Sequence, residues 1–596
     1  SRPSDLKIAS DLAAALAAIG QFGRALEVAS LELAVFDPTL QLARIRGAVA
    51  VQAGDFAAAI EALNHVLASA PNDWESWNNL GNALRETGDF EGSADAFERA
   101  LVINPQSPET RMNYATVLRE LRRTDEAEGL LRELANEFPD SPLPLRDLHL
   151  LLKDARRDEE AFETIEAAVE RDPENVSMLV DKANHLASVQ NMAEAEVVYR
   201  KALEIDPLSA TAFVGLALVL ELTNRTSELA PLADEAEKRG VVEAANFVRA
   251  YHYRRVKQFE LGLAALADVS DDLESARQLH LQGQLLEGAE RYDEAFEAFS
   301  EMNALFRKDT SMPEERAAAY RDTIRYFRDT VSEAWVQSWR TEAKLDGRPA
   351  PVFLVGFPRS GTTLLDTILM SHPQIEVLEE EPALRTAMDA FSSFKGLPVV
   401  SDSEIEAARN LYFDTVASLN SRASGKLLID KNPLTMNLLP FAARLFPDAR
   451  VILALRHPCD VALSCFMANF RLNEGMSSFT SLEKTAELYD LSFGYFEHVQ
   501  RLMPMPVHVI RYESIVEDRE TELRGLFDFL GLDWHDAVLD HQSTALGRGR
   551  IKTASYAQVV EPIYTRSAGR WQKYRKHLEP ILPVLAPWAE KFGYPM

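Results

Sequence analysis

Cysteine is nearly absent: two thiols, Cys459 and Cys465, in 596 residues. They stand six apart in what reads as one helix, where the helical turn points them roughly 120° away from each other. No disulfide between them is expected and no zinc-like spacing exists, and so sparing a use of thiol fits a reducing, cytoplasmic compartment. Long apolar runs are also missing. Nothing approaches the ~18–20 residues of a membrane span, and the opening Ser1-Arg2-Pro3-Ser4-Asp5 lacks the apolar stretch of a signal peptide. Positive charge is in deficit, with a net charge of −29. The deficit is uneven: 25 Lys and Arg face 30 Asp and Glu in residues 351–596, but 38 face 62 in residues 1–350. Nucleic acid is therefore not an expected partner of the first part, because phosphate backbones require a basic footprint. What is present, 46% hydrophobic and 26% charged residues, is ordinary for globular protein. The length exceeds what one core supports, so two or more domains are expected.

A further absence lies inside a motif. Residues 353–367, Phe-Leu-Val-Gly-Phe-Pro-Arg-Ser-Gly-Thr-Thr-Leu-Leu-Asp-Thr, read as a phosphate-binding loop without the usual lysine. An apolar strand (351–355) runs into a glycine-bounded turn and then a helix, so backbone N–H groups at the helix start face an anion. The nucleoside-triphosphate version needs Gly-Lys-Ser/Thr, whose lysine reaches the β- and γ-phosphates and whose hydroxyl holds magnesium. Here Gly361 is followed by Thr362 and Thr363. The expected ligand is a nucleotide whose terminal group is not a metal-clamped triphosphate.

A second strand (451–455) ends in Arg456, followed by His457, Pro458, Asp460 and Ser464. A triphosphatase often places an acidic residue near such a strand end to help hold magnesium. An arginine with a hydroxyl two turns on suits a second phosphate instead. Further strand-like runs at 427–429 and 507–510 alternate with helical stretches, which implies a parallel α/β sheet with its ligand at the carboxyl ends of the strands.

Before residue 310 the pattern is different. Pro71, Pro105, Pro139, Pro173 and Pro207 recur every 34 residues, with Ala59, Ser93, Ala127, Ala161 and Ala195 in the same phase. Trp77, Leu80, Gly81, Gly88, Phe97, Ala100 and Pro105 resemble the tetratricopeptide consensus, in which small residues let paired helices pack closely and proline ends the second. The register drifts after about residue 224 and returns at Gly283, Leu286, Tyr292, Ala295 and Phe299. A charged helical stretch with Arg321, Arg325, Phe327 and Trp335 follows, then Asp346-Gly-Arg-Pro-Ala-Pro351 as a boundary. The expected organisation is a repeat array over 1–309, degenerate at its ends and near 224–275, a helical connector over 310–349 and an α/β domain over 350–596.

The Pro-Arg-Ser-Gly-Thr-Thr loop, Arg456 with Ser464, Asp430-Lys431-Asn432-Pro433 and Arg511-Tyr512-Glu513 together resemble the sulfotransferases that use 3′-phosphoadenylyl sulfate. The likeness is strongest to the protein-tyrosine sulfotransferase branch and spans residues 350–575. It implies that Arg359, Ser360, Gly361, Thr362 and Thr363 hold the 5′-phosphosulfate, while Arg456 and Ser464 hold the 3′-phosphate. Glu380 is implied as general base, flanked by Glu379 and Glu381 as alternatives, and Lys431 as the cation on the leaving oxygen. Tyr512, Ser555 and Arg570 are implied as nucleotide contacts. Adenosine 3′,5′-bisphosphate would be the product, and no metal is required. His372, His457 and His508 read as structural.

The fold expected is thus α plus α/β: a tetratricopeptide solenoid followed by a P-loop-like sulfotransferase domain with a parallel sheet. Partners would be a protein or peptide on the repeats and an acceptor protein or glycan, or a small phenol. Where tyrosine enzymes carry arginines after the glutamate, this chain has Pro382 and Thr386, so strongly acidic acceptors would be repelled. The array reads either as a recognition arm or as a spacer or homo-oligomerisation scaffold. Two alternatives stand beside this reading: a nucleotide-dependent kinase or triphosphatase, and a repeat scaffold with an inactive enzyme domain.

Overall fold

The computed structural model describes residues 3–309, 311–339, 346–419, 425–547 and 568–596. Packing divides the chain between His185 and Leu186 into two compact units.

The first unit is built of helical hairpins. Trp74–Glu86 pairs with Phe90–Ile103, Pro108–Glu120 with Thr124–Glu137, and Leu143–Asp154 with Asp158–Arg171. Side chains set the starts: Asp89 Oδ1 accepts from Gly92 N at 3.0 Å, and Asp55 Oδ1 from Ala58 N at 3.1 Å. Prolines mark the ends, since Pro71, Pro105, Pro139 and Pro173 each fall two residues beyond a second helix. The small residues repeating in phase, Ala59, Ser93, Ala127 and Ala161, are all completely buried. At Gly81 the close approach is explicit, because an added Cβ would lie 2.7 Å from Phe97 Cε1.

The second unit begins with the same hairpin design, in helices Met192–Ile205 and Ala210–Leu222. The 34-residue register then drifts for a visible reason. A 3-10 turn at Thr226–Glu228 and two short helices, Leu229–Lys238 and Phe259–Leu266, replace full-length partners. Regularity returns in the last repeat, Ser275–Gly288 and Tyr292–Arg307. Connector helix Pro313–Thr330 follows.

Five strands form the sheet: β1 (Val352–Gly356), β2 (Ile375–Glu379), β3 (Leu427–Lys431), β4 (Arg450–Leu455) and β5 (Val507–Arg511). All pairings are parallel and the order is β2-β3-β1-β4-β5. Four strands match the apolar runs of the sequence; β2 is an addition. Alternation along β1 splits the core, sending Phe353 and Val355 to one side and Val352 and Leu354 to the other. The first side is continuous with Phe299 and Met302 of the last repeat and with Ile324 and Phe327 of the connector. The connection order reverses between β1 and β4, which opens a crevice at their carboxyl ends. Among the described residues, no helix is long and apolar enough to cross a membrane.

Candidate active site

The crevice is where the loop after β1 meets the turn after β4. Gly356 pairs with Ala454 in the register, so Arg359 and Arg456 leave adjacent strands in the same direction. Arg359 adopts φ 70°, in the left-handed region that non-glycine residues rarely occupy. Its Nε donates to Ser464 Oγ at 3.0 Å, and Arg456 Nη1 donates back to the Arg359 carbonyl at 3.1 Å. The two arginines and the serine expected to serve different phosphates are therefore one connected group. Arg456 also lies over the Tyr512 ring, 4.9 Å from its centroid.

Gly361 starts the loop helix, Thr362–Met370, at φ 93°. A Cβ there would lie 2.8 Å from Tyr512 Cδ2, so the residue that follows strand β5 limits how thick the loop can be. Ser360, Thr362 and Thr363 are all buried. Ser360 Oγ has no hydrogen-bond partner among the described residues. A buried hydroxyl with an unmet capacity, at the foot of a helix N-terminus, suits a bound anion.

Beside this cradle, at the ends of β2 and β3, Lys431 is completely buried. Its Nζ donates to Glu380 Oε1 at 2.7 Å and lies 3.2 Å from Asp366 Oδ2 and 3.7 Å from Glu379 Oε1. Burial alone would lower the lysine's pKa, but Glu380, Asp366 and Glu379 together outweigh it and hold the ammonium above its ordinary value. Glu380 sits at φ 52° and its amide donates to the Lys431 carbonyl at 2.7 Å. Glu380 is the carboxylate with an outlet, its side chain 30% exposed against 8% for Glu379 and 0% for Asp366. Asp366 is the site residue that sequence reasoning missed, because an acidic residue inside the loop helix carries no signal of its own; Glu379, weighed there as an alternative base, lies buried beside Lys431.

The surrounding residues hold the turns. Glu513 accepts from His457 N at 3.0 Å and from Tyr594 Oη at 2.9 Å. His457 Nδ1 accepts from Cys459 N and its Nε2 donates to the Pro595 carbonyl, which is a structural role. His372 similarly donates Nε2 to the Asp533 carbonyl at 3.0 Å. Both cysteines are buried and free, and burial pushes the Cys459 thiol up to about 12. Arg570 turns toward the repeats, where it pairs with Glu287. Ser555 lies outside the described residues.

Comparison with known proteins finds matches for both parts of the chain. Residues 351–536 match the sulfotransferase family, and residues 46–108, 84–146 and 150–210 match tetratricopeptide repeats. An uncharacterized protein of Aquifex aeolicus is 29% identical over 52% of this chain, which spans only 41% of that protein. Protein-tyrosine sulfotransferase 2 of Gallus gallus is 25% identical over 41% of this chain and 72% of its own length. A solved sulfotransferase domain from the Synechococcus PCC 7002 olefin synthase is 23% identical, with a TM-score of 0.32 over 43% of this chain and 99% of that one. The chain thus joins tetratricopeptide repeats to a domain of the sulfotransferase family.

Proposed function

We propose that the protein moves the sulfuryl group of 3′-phosphoadenylyl sulfate to a hydroxyl on an acceptor protein or glycan. The observation that carries this reading is the linked Arg359–Ser464–Arg456 group at the strand switch point, next to the Glu380–Lys431 pair. The loop amides and the Ser360 to Thr363 hydroxyls bind the 5′-phosphosulfate, with Arg359 reinforcing its charge. Arg456 and Ser464 take the 3′-phosphate, and Tyr512 supports Arg456 from its ring face.

Glu380 accepts the proton of the acceptor hydroxyl as that oxygen bonds to sulfur. The bond from sulfur to the bridging oxygen breaks, and the electron pair leaves with adenosine 3′,5′-bisphosphate. Lys431 faces that developing charge. Its exchange of Glu380 for the bridging oxygen leaves Asp366 and Glu379 as standing counter-ions, so the ammonium keeps its proton. The partial exposure of Glu380 supports it as base over its more buried neighbour Glu379. With three carboxylates here and Pro382 and Thr386 in place of arginines, acceptors of low acidity are favoured. The repeats recruit the acceptor or a partner protein.

Glu380→Ala is the decisive variant. With labelled donor it should lose turnover by at least about 10²-fold, while calorimetric affinity for adenosine 3′,5′-bisphosphate stays unchanged. Full turnover would move the base elsewhere, and loss of nucleotide binding would recast Glu380 as structural.

A further inference from the structure

The helix that carries Ser464, Pro458–Phe466, ends against the last repeat. Its terminal carbonyl at Phe466 belongs to the set that no intrahelical N–H can satisfy. Asn303, buried to 2% exposure, donates Nδ2 to it at 2.8 Å. One residue further, Met467 Sδ receives Arg570 Nη2 at 3.0 Å. The same guanidinium is gripped by both carboxylate oxygens of Glu287, Nη2 to Oε2 at 2.6 Å. Burial works against the charge on Arg570, but Glu287 more than compensates. Phe296 closes the contact, its ring stacked 5.2 Å from Phe466 and 4.1 Å from His577. Asn303, Phe296 and Glu287 all belong to the hairpin of Ser275–Gly288 and Tyr292–Arg307.

We propose that Asn303 and Glu287 are positioning residues for the 3′-phosphate subsite, so that the last tetratricopeptide hairpin serves the nucleotide site and not only partner capture. The inference rests on the donor reading given above. Ser464 lies two residues before Phe466 and accepts the Arg359 hydrogen bond. A helix end free to roll would carry that hydroxyl away from both arginines, and a site of this kind tolerates only about 0.5 Å of such slack. Asn303 fixes the roll at the carbonyl, and Glu287 fixes it through Arg570 and Met467. Neither residue touches the nucleotide in this scheme. Their loss should therefore weaken recognition of one phosphate, not of the whole ligand.

Calorimetry on the full chain with adenosine 3′,5′-bisphosphate and adenosine 5′-phosphate separates these outcomes, for wild type, Asn303→Leu and Glu287→Gln. Wild type should prefer the bisphosphate, and each variant should lose about tenfold of that preference, the scale of one buried hydrogen bond. Affinity for adenosine 5′-phosphate should stay within about twofold, and Glu287→Asp, which keeps the charge, should recover part of the loss. An unchanged preference in both variants, or equal weakening toward both nucleotides, overturns the positioning role. Indifference of the wild type to the bisphosphate instead overturns the donor reading beneath it. The two substitutions sit on separate helices, so if one variant fails to fold the other still decides.

Discussion

Replacing Lys431 by Met removes an ammonium that lies 3.2, 3.7 and 2.7 Å from Asp366, Glu379 and Glu380. At an effective dielectric near 20, each contact is worth roughly 5 kcal/mol before desolvation is counted. Most of that is offset by the cost of burying the charges, so the measurable loss is that of breaking a buried pair, about 3–5 kcal/mol. The loss must depend on pH. Without the ammonium, the ionised form of the cluster loses this counter-ion while the protonated form loses nothing comparable. A destabilisation that falls on the ionised form is small at low pH and grows as pH rises. In wild type, the pKa of Lys431 is raised, so its contribution is complete below about 10.5 and adds no slope between pH 5 and 8. The urea midpoint of Lys431→Met relative to wild type should therefore fall slightly at pH 5 and steeply at pH 8. Adding Asp366→Asn should restore part of the pH 8 deficit without restoring turnover. An equal deficit at both pH values, or one below about 1 kcal/mol at pH 8, would refute this account of the cluster.

Other substitutions probe separate links. Gly361→Ala forces a side chain at φ 93° with its Cβ 2.8 Å from Tyr512 Cδ2, and should cost about 1–2 kcal/mol of strain, read as about tenfold weaker binding of adenosine 3′,5′-bisphosphate; undiminished affinity would place the anion elsewhere. Burial drives the Asp430 carboxyl up to about 7 despite the Tyr412 hydroxyl that donates to it at 2.9 Å. Because its folded value exceeds its unfolded one, wild type should lose on the order of 4 kcal/mol between pH 4 and 8 from this group, and Asp430→Asn should flatten that slope in denaturation midpoints, a parallel slope counting against it. In the first unit, Gly81→Ala presses on the fully buried Phe97 ring and should cost about 1–3 kcal/mol, seen as a lower thermal midpoint; no change would mean the helix pair relaxes freely.

The legible parts of this chain are those written in short stretches. The glycine loop, the strand ends at Lys431 and Arg456, and the 34-residue proline period each announce a local structure whose geometry the packed protein reproduces. β2 is different, because Ile375-Glu376-Val377-Leu378-Glu379 breaks the apolar run with carboxylates. Glu379 is buried there since it faces Lys431, a partner 52 positions away that no local pattern identifies. Asp366 hides in the same way, the single charged residue of helix Thr362–Met370, whose meaning depends on a distant ammonium. The Asn303–Phe466 and Glu287–Arg570 contacts join residues 163 and 283 positions apart, so only tertiary packing discloses them.

The shared core of Phe299, Met302, Phe327 and Phe353 sets a rule for recombining this protein with others. A graft that exchanges the array at residue 310 would strip a wall from the α/β layer and leave these rings facing water. Chimeras that retain the final hairpin and splice upstream of Ser275 keep that wall, which makes the earlier repeats the exchangeable cassette and the last one part of the α/β domain's chassis.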